Sequence, residues 1–336
     1  MATILSGILR RINRDKTKPL NILTGLAHEG YSTTMAKTGH EFYFVTNKSW
    51  PQWNVQERDV PSNIHLLGGE DLKRQLNCDI TFDLVLSQKC LDHYPVLNQV
   101  ACQMNIPLIV LHHSLPWIPP VGNWSWETVK DIGNQRCDHN VFVSNFSAEA
   151  WGRDSDGDNI SIIRHGMDTE YWQGWSGGDG KIMTAVWDFK RRDSVCGYSL
   201  FQEVTRDLPV NIWGDSPGVS VMAKNRDHLR DLYRQASVYF NSTLWSSCPF
   251  SLLEAMSVGC PIVTTATTMM PEFIRDGVNG FVSNDPGVLR EKLSLLISDP
   301  VLGKQIGEAG RRTILELFNE SQFINKWNAV FNTVME

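Results

Sequence analysis

The chain has 336 residues, 42% hydrophobic and 20% charged, with a formal net charge of −6. That length suits two domains of about 150 residues each rather than one small domain. The acidic balance argues against a protein that holds nucleic acid by bulk charge, because neutralised phosphate is the usual source of such affinity. No apolar run reaches the roughly 18 residues of a membrane span. Cys78, Cys90, Cys102, Cys137, Cys196, Cys248 and Cys260 are odd in number and never at CxxC spacing. They read as free thiols of a reducing, cytoplasmic compartment, each a small buried hydrophobe, and form neither a disulfide framework nor a zinc site.

The N-terminus, "MATILSGILRRINRDKTK", is no secretory signal, since its apolar part is short and its arginines follow it. Ile4, Leu5, Ile8, Leu9 and Ile12 fall at helical spacing among Arg10, Arg11 and Arg14. Such a helix can make peripheral contact with an anionic membrane or pack on its own protein. Strands follow at 20–25, 40–46, 63–68, 82–88, 106–114 and 139–145, with helices at 94–105 and 126–137 between them. Their near-continuous Val, Ile and Leu runs are those of parallel strands covered on both faces. A second series begins after "NISIIRHGMD" and the Gly-rich "WQGWSGGDG". Its strands are expected at 180–187, 209–214, 236–242, 260–265 and 280–284. Its helices fall near 194–206, 225–235, 251–258, 271–275 and 286–298, with a helical tail over 303–336.

This is an α/β chain with two Rossmann-like halves. It divides into an N-terminal domain (1–155), a C-terminal domain (156–315) and a C-terminal helix (316–336) that packs back toward the first. Ligands of such sheets gather where strand C-termini, loops and helix N-termini converge, so the polar residues that finish each apolar run are the functional candidates.

"LLEAMSVGCPIVTT" followed by "MMPEFIRDGVNGFV" resembles the donor-binding core of GT-B glycosyltransferases, above all the retaining family-four type (glycosyl transferases group 1). "IIRHGMD", "VFVSN" and "PLIVLHHS" are weaker matches in the same order, and "TGLAHEGYSTTMAKTGHEFY" is similar to a phage-associated subgroup. The resemblance implies two domains facing each other across a cleft, the first on the acceptor side and the second binding a UDP- or GDP-linked sugar as co-substrate. No further cofactor is implied.

The resemblance also assigns roles. The loop and helix start at Ser246, Ser247, Cys248, Pro249, Phe250 and Ser251 would face the donor. Glu254, read as lying on the first turn, would accept hydrogen bonds from both ribose hydroxyls, a task for a group with only acceptors. Counting back to the family's first glutamate gives Ser246, so the usual contact to the transferred sugar is changed. Lys190, Arg191 and Arg192 would neutralise the departing diphosphate, with Arg192, nearest the helix start, favoured for catalysis. Trp187 stands where the family has an arginine. Gly214 and Asp215 sit where the base is held, and Glu272 follows a loop "TTMM" that lacks the family's glycines. In the first half His113 matches the family histidine, while His112 alternates to the other side. His28 and Glu29 occupy the first βα loop, on the acceptor side.

No metal motif ends a strand of the first half, and "DSD" at 154–156 reads as a surface loop. The leading expectation is a retaining, metal-independent glycosyltransferase acting on a hydroxyl of a glycan, a lipid-linked sugar or a modified DNA base. Ser246 and the missing glycines support an alternative, a non-catalytic nucleotide-sugar-binding protein on the same fold. The phage-like N-terminus supports another, glycosylation of hydroxymethylated bases in DNA, against which the net acidity counts.

Overall fold

The computed structural model describes residues 14–46, 50–55, 58–68 and 80–336. The amphipathic stretch before Arg14 and Cys78 lie outside the described residues. The chain forms two compact units. The first comprises residues up to Pro116, Trp124–Gly166 and Ser321–Glu336; the second comprises Trp117–Asn123 and Met167–Glu320.

The first unit is built on β1 (Asn21–Gly25), β2 (Glu41–Thr46), β3 (Ile64–Gly68), β4 (Leu84–Ser87), β5 (Leu108–His112), β6 (His139–Phe142) and β7 (Ile160–Ile162). They form one parallel sheet in the order β3-β2-β1-β4-β5-β6-β7. Among the described residues the helices that alternate with them are α1 (Glu29–Ala36), α2 (Tyr94–Met104), α3 (Trp126–Gly133) and α4 (Asn145–Ala150). β4, β5 and β6 are buried at every position, the reason their sequences run apolar without alternation. The strand order turns at β1 and β4, so the loops after these strands diverge there. Leu23, Val85, Leu97, Ala101, Leu108 and Val110 fill one face of the core.

The boundary between units follows Gly166 rather than residue 155, because β7 pairs with β6 as the edge strand of the first sheet. "NISIIRHGMD" therefore closes the first sheet before it opens the second unit.

The second unit carries a five-stranded parallel sheet in the order β12-β11-β10-β8-β9. Its strands are β8 (Ile182–Ala185), β9 (Val210–Trp213), β10 (Val238–Asn241), β11 (Ile262–Thr264) and β12 (Phe281–Val282). Its helices are α5 (Asp193–Cys196), α6 (Tyr198–Val204), α7 (Arg226–Gln235), α8 (Phe250–Val258), α9 (Met270–Phe273), α10 (Pro286–Ser298) and α11 (Pro300–Leu317). Ile182, Phe189, Phe201, Val238, Phe240, Val263, Leu293 and Leu296 form its core.

The helix expected over 194–206 is two helices. Gly197 breaks it with φ +70°, and a Cβ there would run into the carbonyl oxygen of Ser242. The tail also divides, into α11 and α12 (Glu320–Met335), with Asn319 between them. On α12 the fully buried Trp327 donates its indole N–H to the Tyr31 hydroxyl at 3.0 Å, which ties this helix to α1.

One contact inside the second unit matters for the site. α11 lays Gly303, Gly307 and Gly310 against the α8 region, and a Cβ on Gly307 would collide with the Gly259 carbonyl. Arg311 of α11 then donates to the carbonyls of Ser257, Trp172 (2.7 Å) and Thr169 (3.0 Å). The end of α8 is thus held by backbone contact and by a guanidinium.

Candidate functional site

In the second unit the β8–α5 loop is locked onto the β9 loop through main-chain bonds. Val186 N–H donates to the Trp213 carbonyl at 2.9 Å, and Asp188 N–H to the Asp215 carbonyl at 2.7 Å. Phe189 N–H donates to the Ser216 hydroxyl at 2.9 Å. Two special backbone positions make this possible. Gly214 has φ +111°, and a Cβ on it would meet the Val186 carbonyl. Asp188 has φ +51°, a conformation that Asp tolerates better than bulkier residues.

A cavity of about 500 Å³ opens over this junction, lined by Trp187, Asp188, Lys190, Arg191, Asp215, Ser216 and Pro217. Arg191 Nε bonds the Asp188 carboxylate at 2.5 Å. That carboxylate is 12% exposed and the Arg191 side chain 78%, so most of the guanidinium stays in solvent. Lys190 is exposed. Arg192 is half-buried; its Nη1 donates to the Trp187 carbonyl at 3.4 Å and its guanidinium lies 5.5 Å from the Trp187 ring centroid. Of the three cations in the sequence cluster, Lys190 and Arg191 line the cavity, while Arg192 sits beside it as the residue before α5. Gly214 shapes the floor by its turn and contributes no lining atom.

The loop from β10 to α8 is held by buried hydroxyls. Asn241 Nδ2 donates to Thr264 Oγ1 at 2.8 Å, and Thr243 Oγ1 to Asn241 Oδ1 at 2.7 Å. Thr265 and Thr267 donate their hydroxyls to the Thr243 carbonyl at 2.5 and 2.7 Å. Ser246 is half-buried, and Ser247 and Cys248 are buried. Pro249 precedes the first helical residue, Phe250, and no side chain caps this helix end. The first N–H groups of α8 are oriented as such ends always are, outward along the axis.

Glu254 lies on the second turn of α8, not the first, because the helix begins at Phe250. It is half-buried and accepts a 3.1 Å hydrogen bond from the Tyr233 hydroxyl. Tyr233 is fully buried; burial first, and the Glu254 carboxylate second, push its hydroxyl well above its ordinary range, so it stays a donor. Tyr239 donates to Ser251 Oγ at 2.8 Å, its hydroxyl pushed up to about 12 by burial. The two tyrosine rings lie 5.6 Å apart. Glu254 and Ser251 are thus fixed from behind by two phenols, residues that the sequence reading did not single out; their only sequence signal is an aromatic residue at the end of a helix and in a buried strand.

In the first unit His28 is the N-cap of α1, its Nδ1 accepting from Tyr31 N–H at 3.4 Å, and Glu29 is the first helical residue. They stand at a helix start rather than in an open loop. Glu29 Oε1 accepts from Asn54 N–H at 2.7 Å. His113 follows the last residue of β5 and is half-buried. Its Nε2 lies 3.4 Å from Gln88 Oε1, and Gln88 donates in turn to Thr24 Oγ1 at 3.2 Å. Tyr31 meets the His113 ring edge-on at 4.5 Å, and His165 lies 6.5 Å from it. Desolvation, then the neighbouring His165, His28 and His93, hold His113 well below the ordinary histidine range, so the ring is neutral at pH 7. His28 and His113 therefore belong to one cluster with Tyr31, His93 and His165. Gln88, which orients His113, was not read from the sequence.

His112 is a different residue in kind. It is buried, pairs with Asn140 Oδ1 at 2.9 Å and stacks on Phe142 at 4.4 Å, so it holds the sheet together.

Residues 196–299 match the family model described as glycosyl transferases group 1. At the level of fold, sucrose-phosphate synthase from Thermosynechococcus elongatus superposes with a TM-score of 0.72, covering 94% of this chain and 99% of that one at 14% identity. The chain has the GT-B fold and resembles the group 1 glycosyltransferases. HepE of Anabaena, solved with UDP and glucose, gives a TM-score of 0.69 over 94% of this chain and 100% of that chain, at 12% identity. In sequence, N-acetyl-alpha-D-glucosaminyl L-malate synthase of Bacillus anthracis is 26% identical over 113 residues, 33% of this chain. The matched stretch spans 29% of that relative's length. The family-model match over residues 196–299 falls on the second unit, which also holds the 500 Å³ cavity and α8.

Proposed function

We propose that this protein is a glycosyltransferase that takes a nucleoside-diphosphate sugar as donor and a hydroxyl as acceptor. The observation that carries this is the second unit's cavity, where Lys190 and Arg191 stand over the joined β8 and β9 loops. Two solvent-exposed cations there suit a diphosphate, whose charge grows as it leaves. Glu254, fixed by Tyr233, is an acceptor-only group suited to the ribose diol. Ser246, half-buried in the loop before α8, would meet the transferred sugar on this reading, with Ser247, Cys248, Pro249, Phe250 and Ser251 completing the donor-binding stretch. HepE binding UDP and glucose supports the same class of donor.

In the reaction the acceptor O–H attacks the anomeric carbon as the bond from that carbon to the diphosphate oxygen breaks. The nucleoside diphosphate leaves with the bonding electrons, and the acceptor proton passes to its freed oxygen. With the departing diphosphate receiving that proton on the face of attack, the configuration is retained and no metal is required. Lys190, Arg191 and Arg192 stabilise the developing charge. In the first unit His113, neutral at pH 7, can donate or accept a hydrogen bond without adding charge, and His28 and Glu29 are the candidates for the acceptor side.

The test is incubation with a panel of nucleoside-diphosphate hexoses and simple glycoside acceptors, followed by mass spectrometry and by NMR of the new anomeric centre. Transfer with retention, unchanged in EDTA, supports the reading. Tight donor binding with neither transfer nor hydrolysis would favour the binding-protein alternative, which Ser246 in place of the family's glutamate keeps in view.

A further inference from the structure

The cavity's wall differs from its phosphate side in a way that bears on the base. Trp187 is 57% exposed although Arg192 lies near its ring, so a large indole surface faces solvent on the loop that also carries Lys190 and Arg191. Opposite in the chain but in the same lining stands Asp215. Among the described residues its carboxylate makes no hydrogen bond or ion pair; only its main-chain carbonyl is used, by Asp188 N–H. The other carboxylate of the cavity, Asp188, is already engaged by Arg191. Beside Asp215 the buried Ser216 hydroxyl accepts from Phe189 N–H, which leaves its own hydrogen for an acceptor.

We infer that Trp187 and Asp215 select the nucleobase of the donor, and that the base they select is guanine. This rests on the donor-binding reading above. A carboxylate offers only acceptors, so it is matched by a base edge that presents two neighbouring donors. Guanine does so through N1–H and the exocyclic N2 amine, with O6 next to them for the Ser216 hydroxyl. Uracil presents one N–H flanked by two carbonyl oxygens, so a carboxylate facing that edge meets two acceptors. Adenine and cytosine each offer a single amine beside a ring acceptor. The open indole supplies stacking area that every base can use and that a purine uses most fully. A volume of about 500 Å³ lies within the range of nucleotide-sized sites.

The experiment is calorimetry of the full chain with GDP, IDP, UDP and ADP, repeated on Asp215→Asn and Trp187→Ala. IDP keeps N1–H and O6 but lacks the N2 amine, so it isolates one of the two donors. The expected result is GDP binding about tenfold or more tighter than UDP, with IDP between them. Asp215→Asn lowers GDP affinity about tenfold and narrows the GDP-to-UDP ratio. Trp187→Ala weakens GDP, IDP and ADP on the order of tenfold and UDP less, because the smaller pyrimidine covers less of the indole. UDP binding as tightly as GDP, or an unchanged GDP-to-UDP ratio in Asp215→Asn, overturns guanine selection while the glycosyltransferase reading stands. Absence of binding by all four nucleotides overturns both.

Discussion

The two units place polar residues at the same strand ends and use them in opposite ways. In the first, His113, His165, His93 and Tyr31 crowd together around β1, β4 and β5, with burial keeping the His113 and His93 rings neutral, and Gln88 and Thr24 extend the hydrogen bonding inward. In the second, Lys190, Arg191, Asp215 and Trp187 stand largely in solvent around a cavity. Desolvation governs the first and solvent-exposed charged side chains mark the second. The first set suits hydrogen bonding without a competing charge and the second suits an anion, so the two units present different chemistry at their strand ends.

The comparison breaks most severely if the second unit's junction is removed. Gly214→Val is expected to cost roughly 3–5 kcal/mol, through strain at φ +111° and collision with the Val186 carbonyl. Denaturant unfolding checks it, and near-normal stability would show that the loops close without this contact. The next effect lies in the first unit. His113→Ala slows transfer on the order of 100-fold and leaves nucleoside-diphosphate affinity unchanged. His112→Ala instead lowers the unfolding midpoint, since that ring pairs with Asn140 and stacks on Phe142. Catalysis lost in His112→Ala but kept in His113→Ala would reverse the two roles.

Glu254→Gln reduces nucleoside-diphosphate affinity by about 1.5–3 kcal/mol while the free sugar is unaffected. The fold should survive, because Gln can still accept from Tyr233. Unchanged affinity in calorimetry would take Glu254 out of the ribose site.

The contrast in desolvation also has a pH signature. His93 and His112 are buried and their rings are pushed down to about 4, in each case chiefly by burial. Below the ordinary value near 6.5 the unfolded chain takes up protons that the native rings refuse. Their full contribution is therefore present above that value and is lost as the pH falls toward 4, at up to about 1.4 kcal/mol per pH unit for each ring. Hydrogen exchange between pH 7 and 5 should show the first unit opening before the second. The smallest effect is at Ser246, where Ser246→Glu should give no gain in turnover with ordinary hexose donors, since the added carboxylate would need hydroxyls placed to receive it. A clear gain across a donor panel would mark the site as a weakened hexose site.

Much of this was legible in the sequence. Uninterrupted runs such as "PLIVLHHS" gave strands within a residue or two, because burial on both faces leaves no alternation to misread. The break at Gly197 was not legible, since it depends on the approach of the Ser242 carbonyl from another strand. The unit boundary escaped for a similar reason: β7 is an edge strand whose half-buried residues carry no strong pattern. Lys190, Arg191 and Asp215 were readable from their places after strands, and the structure gathers them on one cavity. Tyr233, Gln88 and the Thr243–Thr265–Thr267 hydroxyls were not, because their importance lies in partners distant in the chain.

The glycine seam between α11 and α8 has a consequence for redesign. α8 cannot slide without driving the Gly259 carbonyl into Gly307, and Arg311 holds the carbonyl of Ser257 at its end. Substitutions meant to change donor choice will therefore find little slack in the helix that carries Glu254. The tunable material is in residues 187–192 and 244–249, and a library confined to those two loops should explore donor range while leaving the scaffold's melting behaviour nearly constant.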